Sequence, residues 1–203
     1  MPWNLSERLF AAYYPFVAAN SERAGQAATR DELLAGARGR VLEVGAGHGL
    51  NLAHYPQGLD ELVLTDPSPW MLQRAPAGTE IHQAGLPSLP FGDGRFDTVV
   101  CTYVLCSVED PAAALAEIAR VLAPGGSLLF LEHVRAGDGT ALGRLQDLIE
   151  RPHRVAAAGC RPNRRTEEAL AASPLQVDWL VHGHQPSALP TVAPTIMGAA
   201  RRV

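Results

Sequence analysis

Ten residues near the start, RVLEVGAGHG (40–49), limit the folds open to this chain. The first half is an apolar run broken only by Arg40 and Glu43, the pattern of a strand covered on both faces of a parallel sheet. The second half places glycine at Gly45, Gly47 and Gly49, so the backbone can turn sharply and a ligand can lie against bare main chain. A second apolar run, Leu62-Val63-Leu64-Thr65, ends on Asp66. In a parallel sheet this carboxylate and the glycine turn share the edge formed by the strand C-termini, where open α/β sheets hold their ligands.

The spacing narrows the ligand. A dinucleotide fingerprint needs G-x-G-x-x-G, but the third glycine comes one place early and Leu50 stands where that fingerprint needs glycine. Glu43 completes E-x-G-x-G-x-G, the loop of S-adenosylmethionine (SAM) enzymes. SAM has no pyrophosphate, so a helix N-terminus aimed at phosphate is not required. Its amino acid and ribose need acids and close backbone. Asp66 can accept both ribose hydroxyls. Its other reading is a cap before Pro67, a role that Ser68 already fills; for Gly45 and Gly47 the other reading is a tight turn without a ligand.

The remaining elements follow from periodicity and punctuation. Residues 1–30 read as amphipathic helix with Trp3, Leu5, Leu9, Phe10, Tyr13 and Phe16 apolar, broken or kinked at Pro15. Asp31 caps a helix, DELLAGAR, that ends at Gly39. Strands are expected at 40–44, 61–65, 79–83, 96–102, 127–133, 175–181 and 195–201. Between them lie a short helix closed by Pro56 and Gly58, one opened by Ser68-Pro69, and one opened by Asp110-Pro111 and stopped by Pro124-Gly125-Gly126. Helices at 141–158 and 166–172 follow, the latter capped by Thr166 with Glu167 and Glu168 in its first turn. This alternation makes an open α/β sheet, with Asp66, Gly85, Thr102 and His133 at or just after strand ends. The 203 residues suit a single domain: 1–38 a helical lid segment, 39–203 the α/β core.

Composition excludes several classes. A net charge of −4 with 19% charged residues is not a nucleic-acid binder's balance. All 17 basic residues are arginine, which removes lysine-base and Schiff-base chemistry. Cys101, Cys106 and Cys160 form no C-x-x-C pair, arguing against a disulfide framework or structural zinc. His182 and His184 lack obvious partners, so no metal is expected. No signal peptide or membrane span is legible, and the cytoplasm is the default location. The densest basic stretch, Arg151, Arg154, Arg161, Arg164 and Arg165, reads as a solvated face or as recognition of an anionic acceptor or headgroup.

Glu43, Gly45, Gly47, Gly49 and Asp66, with FGDGRFDTVV (91–100) and EIARVLAPGGSLLFLEHV (117–134), resemble the class I SAM-dependent methyltransferases. The likeness runs from about residue 39 to the C-terminus. It implies a doubly wound, mostly parallel seven-stranded Rossmann-like sheet, SAM as cofactor and S-adenosylhomocysteine as product. It also implies that Glu43 orients the methionine amino group and Asp66 binds the ribose. Gly45, Ala46 and Gly47 bring the backbone to the cofactor, Pro67 continues the ribose side, and Thr102 lines the methionine end. Many relatives carry an acid at the position of 84–86. This chain has none there, so adenine meets the backbone of Gly85 and apolar walls from Leu86 and Met71. On the acceptor side stand Tyr13 and Tyr14 of the N-terminal helix, Cys106 and His133. Cys101 reads as core packing, and Cys106 as packing or acceptor pocket. His133 is the candidate base, or only a partner for a carbonyl. The helix itself reads as a lid, a dimer surface or an interfacial membrane contact.

VVCTYVLCSVED, EHVRA and GCRPNRRT are similar to the thiol S-methyltransferase subgroup, whose animal members are membrane-attached and methylate hydrogen sulfide and small alkyl thiols. Their hydrophobic anchor has no counterpart here. The wider group includes quinone and phospholipid methyltransferases. The expectation is methyl transfer to a small, lipophilic acceptor, thiol favoured, with a quinone, phospholipid or other O, N or C acceptor as the alternative. A non-catalytic SAM-binding sensor or structural subunit is the alternative of another class, and a nicotinamide oxidoreductase is disfavoured by Leu50. The oligomeric state is not legible.

Overall fold

The computed structural model describes residues 5–73 and 80–203, and side chains from Arg8 onward. Trp3, the side chain of Leu5 and the expected strand start at Thr79 lie outside the described residues.

Helix α1 (Leu5–Ser21) runs through a π-type turn, Glu22–Gln26, into α2 (Ala27–Leu34). Then follow β1 (Arg40–Val44), a 3₁₀ turn (Leu50–His54), β2 (Glu61–Thr65), α3 (Pro69–Leu72), β3 (Glu80–His82) and β4 (Phe96–Thr102). The chain continues as α4 (Pro111–Val121), β5 (Leu122–His133), α5 (Ala141–Ala156), α6 (Thr166–Ala171), β6 (Leu175–His184) and β7 (Pro194–Arg202). The seven strands form one sheet in the order β3-β2-β1-β4-β5-β7-β6. The first five are parallel and β7 runs antiparallel to both its neighbours. The order reverses between β1 and β4, so the crevice outside their C-terminal ends is the expected ligand site.

Alternation along the strands feeds two cores. Leu42, Val44, Val99, Cys101, Leu128 and Phe130 pack with Leu115 and Ile118 of α4 on one face. Val41, Val100, Leu129 and Leu131 pack with Leu33 and Leu34 of α2 on the other. No helix among the described residues is long and apolar enough to cross a membrane.

Several local expectations are corrected. Pro15 stays inside α1. The helix is held from outside, Tyr13 Oη donating to the Ala156 carbonyl at 2.9 Å, and tertiary packing overrides a single poor residue. The chain bends instead at Gly25, whose φ of +123° suits glycine. Asp31 lies inside α2, its carboxylate 2.7 Å from His54 Nδ1, and α2 ends at Leu34 rather than Gly39. Ser68 sits at the N-cap of α3 without a side-chain bond, and Asp66 Oδ1 accepts the Ser68 N–H at 2.8 Å. Thr166 is the first residue of α6, not its cap, and its buried hydroxyl has no partner among the described residues. Asp110 caps α4 as expected, accepting from Ala112 and Ala113. Strand β5 begins earlier than expected, at Leu122, paired with Phe96; pairing then shifts to Ser127 opposite Thr98, leaving Pro124-Gly125-Gly126 out of register.

Candidate functional site

The glycine turn has the backbone that its sequence demands. Gly45, Gly47 and Gly49 have φ of +67°, +60° and +83°, and a Cβ on Gly45 would lie 2.5 Å from Val104 Cγ2. The turn is pinned to β2: Ala46 N–H donates to the Thr65 carbonyl at 2.9 Å, and Gly47 N–H donates to Asp66 Oδ2 at 2.8 Å. Asp66 therefore shapes the loop and the α3 start together, and burial lifts its carboxyl above the ordinary range while both backbone donors pull it down. Each oxygen keeps acceptor capacity beyond these bonds.

Glu43, at the end of β1, is 2% exposed. Burial pushes its carboxyl up to about 7, against the pull of Tyr55 and Asn51. Tyr55 Oη donates to its Oε2 at 2.8 Å and Asn51 Nδ2 to its Oε1 at 2.9 Å. Asn51 also reaches Thr102 Oγ1 at 3.0 Å, which joins the C-terminal ends of β1 and β4. Arg30 of α2 closes the network, donating to Asn51 Oδ1 at 2.5 Å and to Glu22 Oε1 at 2.8 Å. Sequence reasoning missed Arg30, Asn51 and Tyr55. None belongs to a motif, and only the fold brings them to Glu43.

Around the other side of the turn, Met71 is buried, with Cε 3.4 Å from where a Gly47 Cβ would stand. Gly85 packs on the Pro67 ring, which a Cβ would meet at 3.1 Å. Leu86 is half-buried against the core. Met71 and Gly85 therefore stand beside Gly47 and Pro67, while Leu86 packs against the core.

After Thr102, Tyr103 takes a φ of +61°, and its buried hydroxyl has no partner among the described residues. The loop behind it is held by Glu132 of β5, also missed because it reads as one residue of an apolar strand. Its carboxylate accepts from Val104 and Leu105, both at 2.9 Å, and from Cys106 at 3.1 Å. Burial raises its carboxyl well above the usual range. These bonds aim Cys106 at His133 and Cys160. Cys106 Sγ and Cys160 Sγ each lie 3.7 Å from His133 Nδ1 and 3.8 Å from one another. His133 Nε2 lies 2.6 Å from Gln185 Oε1. Contact with Cys160, then burial, raises the Cys106 thiol well above its ordinary range. For His133, burial acts downward but the Cys106 and Gln185 contacts outweigh it, and the net shift is upward.

The two N-terminal tyrosines part company. Tyr14 stacks on Phe10 at 4.9 Å and sets its edge against His48 of the glycine turn at 5.7 Å, and burial raises its hydroxyl above the ordinary range. Tyr13 turns to α5 and is 45% exposed, so it does not join the other expected acceptor-side residues. His182 is not partnerless: its Nε2 lies 3.1 Å from Glu167 Oε2. Arg151, Arg154, Arg161, Arg164 and Arg165 line an open cavity of about 530 Å³. Arg161 pairs there with Glu109 at 2.9 Å, and Arg165 with Asp138 at 2.5 Å and Glu168 at 2.6 Å.

A family described as a methyltransferase domain matches residues 42–130, from β1 through most of β5. A human relative, "Thiol S-methyltransferase TMT1B", is 35% identical over 179 residues, covering 82% of this chain and 73% of the relative. A demethylmenaquinone methyltransferase from Renibacterium salmoninarum is 36% identical over 96 residues, covering 46% of this chain and 40% of the relative. Among solved structures, a SAM-dependent methyltransferase from Thermotoga maritima aligns with a TM-score of 0.67 at 17% identity. That alignment covers 96% of this chain and 98% of that one, a likeness of fold.

Proposed function

Because the chain belongs to the class I SAM-dependent methyltransferases, we propose that the group it methylates is a thiol on a small, lipophilic molecule. The observation that carries this is the length of the likeness. It covers 82% of the chain for the human thiol enzyme and 46% for the quinone enzyme. The former necessarily reaches past His133 into the half of the chain that supplies Cys160 and Gln185.

Site chemistry supports the reading. SAM brings a methyl group already activated on a sulfonium, so the protein has to orient and desolvate the two reactants. Glu43 takes the methionine ammonium, Asp66 the ribose hydroxyls, and Gly45, Ala46 and Gly47 allow close backbone approach. Pro67, Met71, Gly85 and Leu86 flank adenine, and Thr102 with Tyr103 faces the methionine end. Tyr14, carried by α1, closes over the glycine turn beside the acceptor. An amine or phenol would need a base. Yet both nitrogens of His133 are engaged, one by Gln185 and one by two sulfurs, so its role as a free base is set aside. A thiol near pKa 8.5 already supplies some thiolate at neutral pH.

Calorimetric titration with SAM and S-adenosylhomocysteine, followed by turnover with a small alkyl thiol, a quinol and a phenol, tests the reading. The expected result is SAM binding and a methyl thioether from the thiol alone. Methylation of the quinol or phenol but not the thiol rejects the acceptor assignment. SAM binding without turnover of any acceptor favours a sensor.

A further inference from the structure

We propose that Cys106, His133 and Cys160 form a mononuclear zinc site with an open fourth position that takes the acceptor as a thiolate. The catalytic half of this statement rests on the thiol reading above; the metal site stands on geometry alone.

The three groups are the cluster of potential metal ligands found among the described residues, with all three ligand atoms within 4.8 Å of one another. Their separations are more telling. Tetrahedral zinc with Zn–S of about 2.3 Å and Zn–N of about 2.05 Å sets the two sulfurs about 3.8 Å apart and each sulfur about 3.6 Å from nitrogen. The observed edges are 3.8, 3.7 and 3.7 Å. The triangle already has the dimensions of one face of an MS₂N tetrahedron.

The surroundings prepare the ligands. Gln185 Oε1 accepts from His133 Nε2, while Gln185 Nε2 donates to Ser21 Oγ at 3.3 Å, which orients the amide. The imidazole proton then sits on Nε2 and the Nδ1 lone pair faces the sulfurs, the outer-shell arrangement found at metal-bound histidines. Glu132 fixes the loop of Cys106 through three backbone donors, and the Cys106 carbonyl accepts the Arg161 N–H at 3.0 Å, tying the two cysteine-bearing segments together. Two thiolates neutralise a divalent ion, which suits a place where Cys106 is 1% and Cys160 8% exposed. Three protein ligands of soft and borderline type leave one position vacant, as in catalytic zinc sites.

The cluster adjoins the proposed methionine end of the crevice through Tyr103. The Tyr103 ring lies 4.4 Å from the His133 ring, and Arg30, bonded to the Asn51–Thr102 pair, sits over the Tyr103 face at 5.9 Å. Zinc binding releases the two cysteine protons to solvent. The acceptor R–SH releases its proton to solvent on coordination, and its sulfur attacks the methyl carbon of SAM. The new S–CH₃ bond forms as the sulfonium C–S bond breaks, its electron pair staying on S-adenosylhomocysteine. R–S–CH₃, a neutral and weaker ligand, departs.

The test uses the intact protein, reduced with a phosphine so that no added thiol competes. Zn²⁺ alone should bind at one equivalent per chain. Co²⁺ in its place should give tetrahedral ligand-field and thiolate charge-transfer bands that shift when an alkyl thiol is added. Cys106→Ser, Cys160→Ser and His133→Ala should each weaken Zn²⁺ by about 100-fold or more, and Gln185→Leu by about 10- to 100-fold. Cys101→Ser, in the adjacent core, should not. SAM binding by each variant reports folding. Absence of saturable Zn²⁺ binding by the wild type, or Zn²⁺ affinity unchanged in Cys160→Ser, overturns the site, even if thiols are methylated. Zinc bound with cobalt bands insensitive to thiols, alongside quinol methylation, leaves the metal and rejects the thiol.

Discussion

Glu43 is buried with its carboxyl lifted to about 7, and its proposed ligand is an ammonium. A cation favours the ionised form, so binding lowers this value and expels a proton. The sign follows: SAM affinity is full above pH 7 and falls by about tenfold for each pH unit below it. Titrations in buffers of different ionisation enthalpy check this, and a flat profile between pH 5.5 and 8 removes Glu43 from the ammonium. Asp66→Ala removes the two proposed ribose acceptors at about 1 kcal/mol or more each, an expected loss of roughly 30-fold or more in SAM affinity. It also strips partners from the Gly47 and Ser68 N–H groups, so the urea midpoint should fall as well. Both residues were legible from their place after apolar runs. The double duty of Asp66 was not, because Ser68 offers an equally good cap by sequence.

Among elements, the strands were readable, and the N-terminal segment was readable as helix but not in its bounds. Runs such as LVLT and DTVVCT have one reading in a parallel sheet, whereas Pro15 and Asp31 are local signals that packing overruled. For α2 the overriding contact is Arg30, buried at 3% exposure, which anchors α2 and the π-type turn to Glu22 and Asn51. Arg30→Met should destabilise the protein by about 3 kcal/mol or more, since it leaves Glu22 and Asn51 without their partner. Urea denaturation measures this; a change below about 1 kcal/mol makes the network incidental. The same variant should weaken SAM binding, because Asn51 holds Glu43 and Thr102 together.

Across the whole sheet, the antiparallel β5–β7–β6 edge depends on one glycine. A Cβ on Gly198 would meet the Trp179 carbonyl and lie 2.5 Å from Phe130 Cζ, where backbone and a buried ring leave little room to give. Gly198→Ala should therefore cost about 2–3 kcal/mol of stability while SAM affinity, which the proposed site draws from β1, β2 and β4, stays within about twofold. Unchanged stability in a denaturation series rejects the packing argument. Apolar runs, glycine spacing and the two acids were sufficient for the parallel sheet and its cofactor, since each depends on neighbours in the chain. Cys106, His133 and Cys160 stand 27 and 27 residues apart, and Arg30 lies 21 residues before Asn51. No local period or spacing relates such residues. Their meeting follows from strand order, from Glu132 holding the loop after β4, and from α2 packing against the sheet, so the joining of Cys160 to Cys106 and His133, and of Arg30 to Asn51, emerges only from the folded chain.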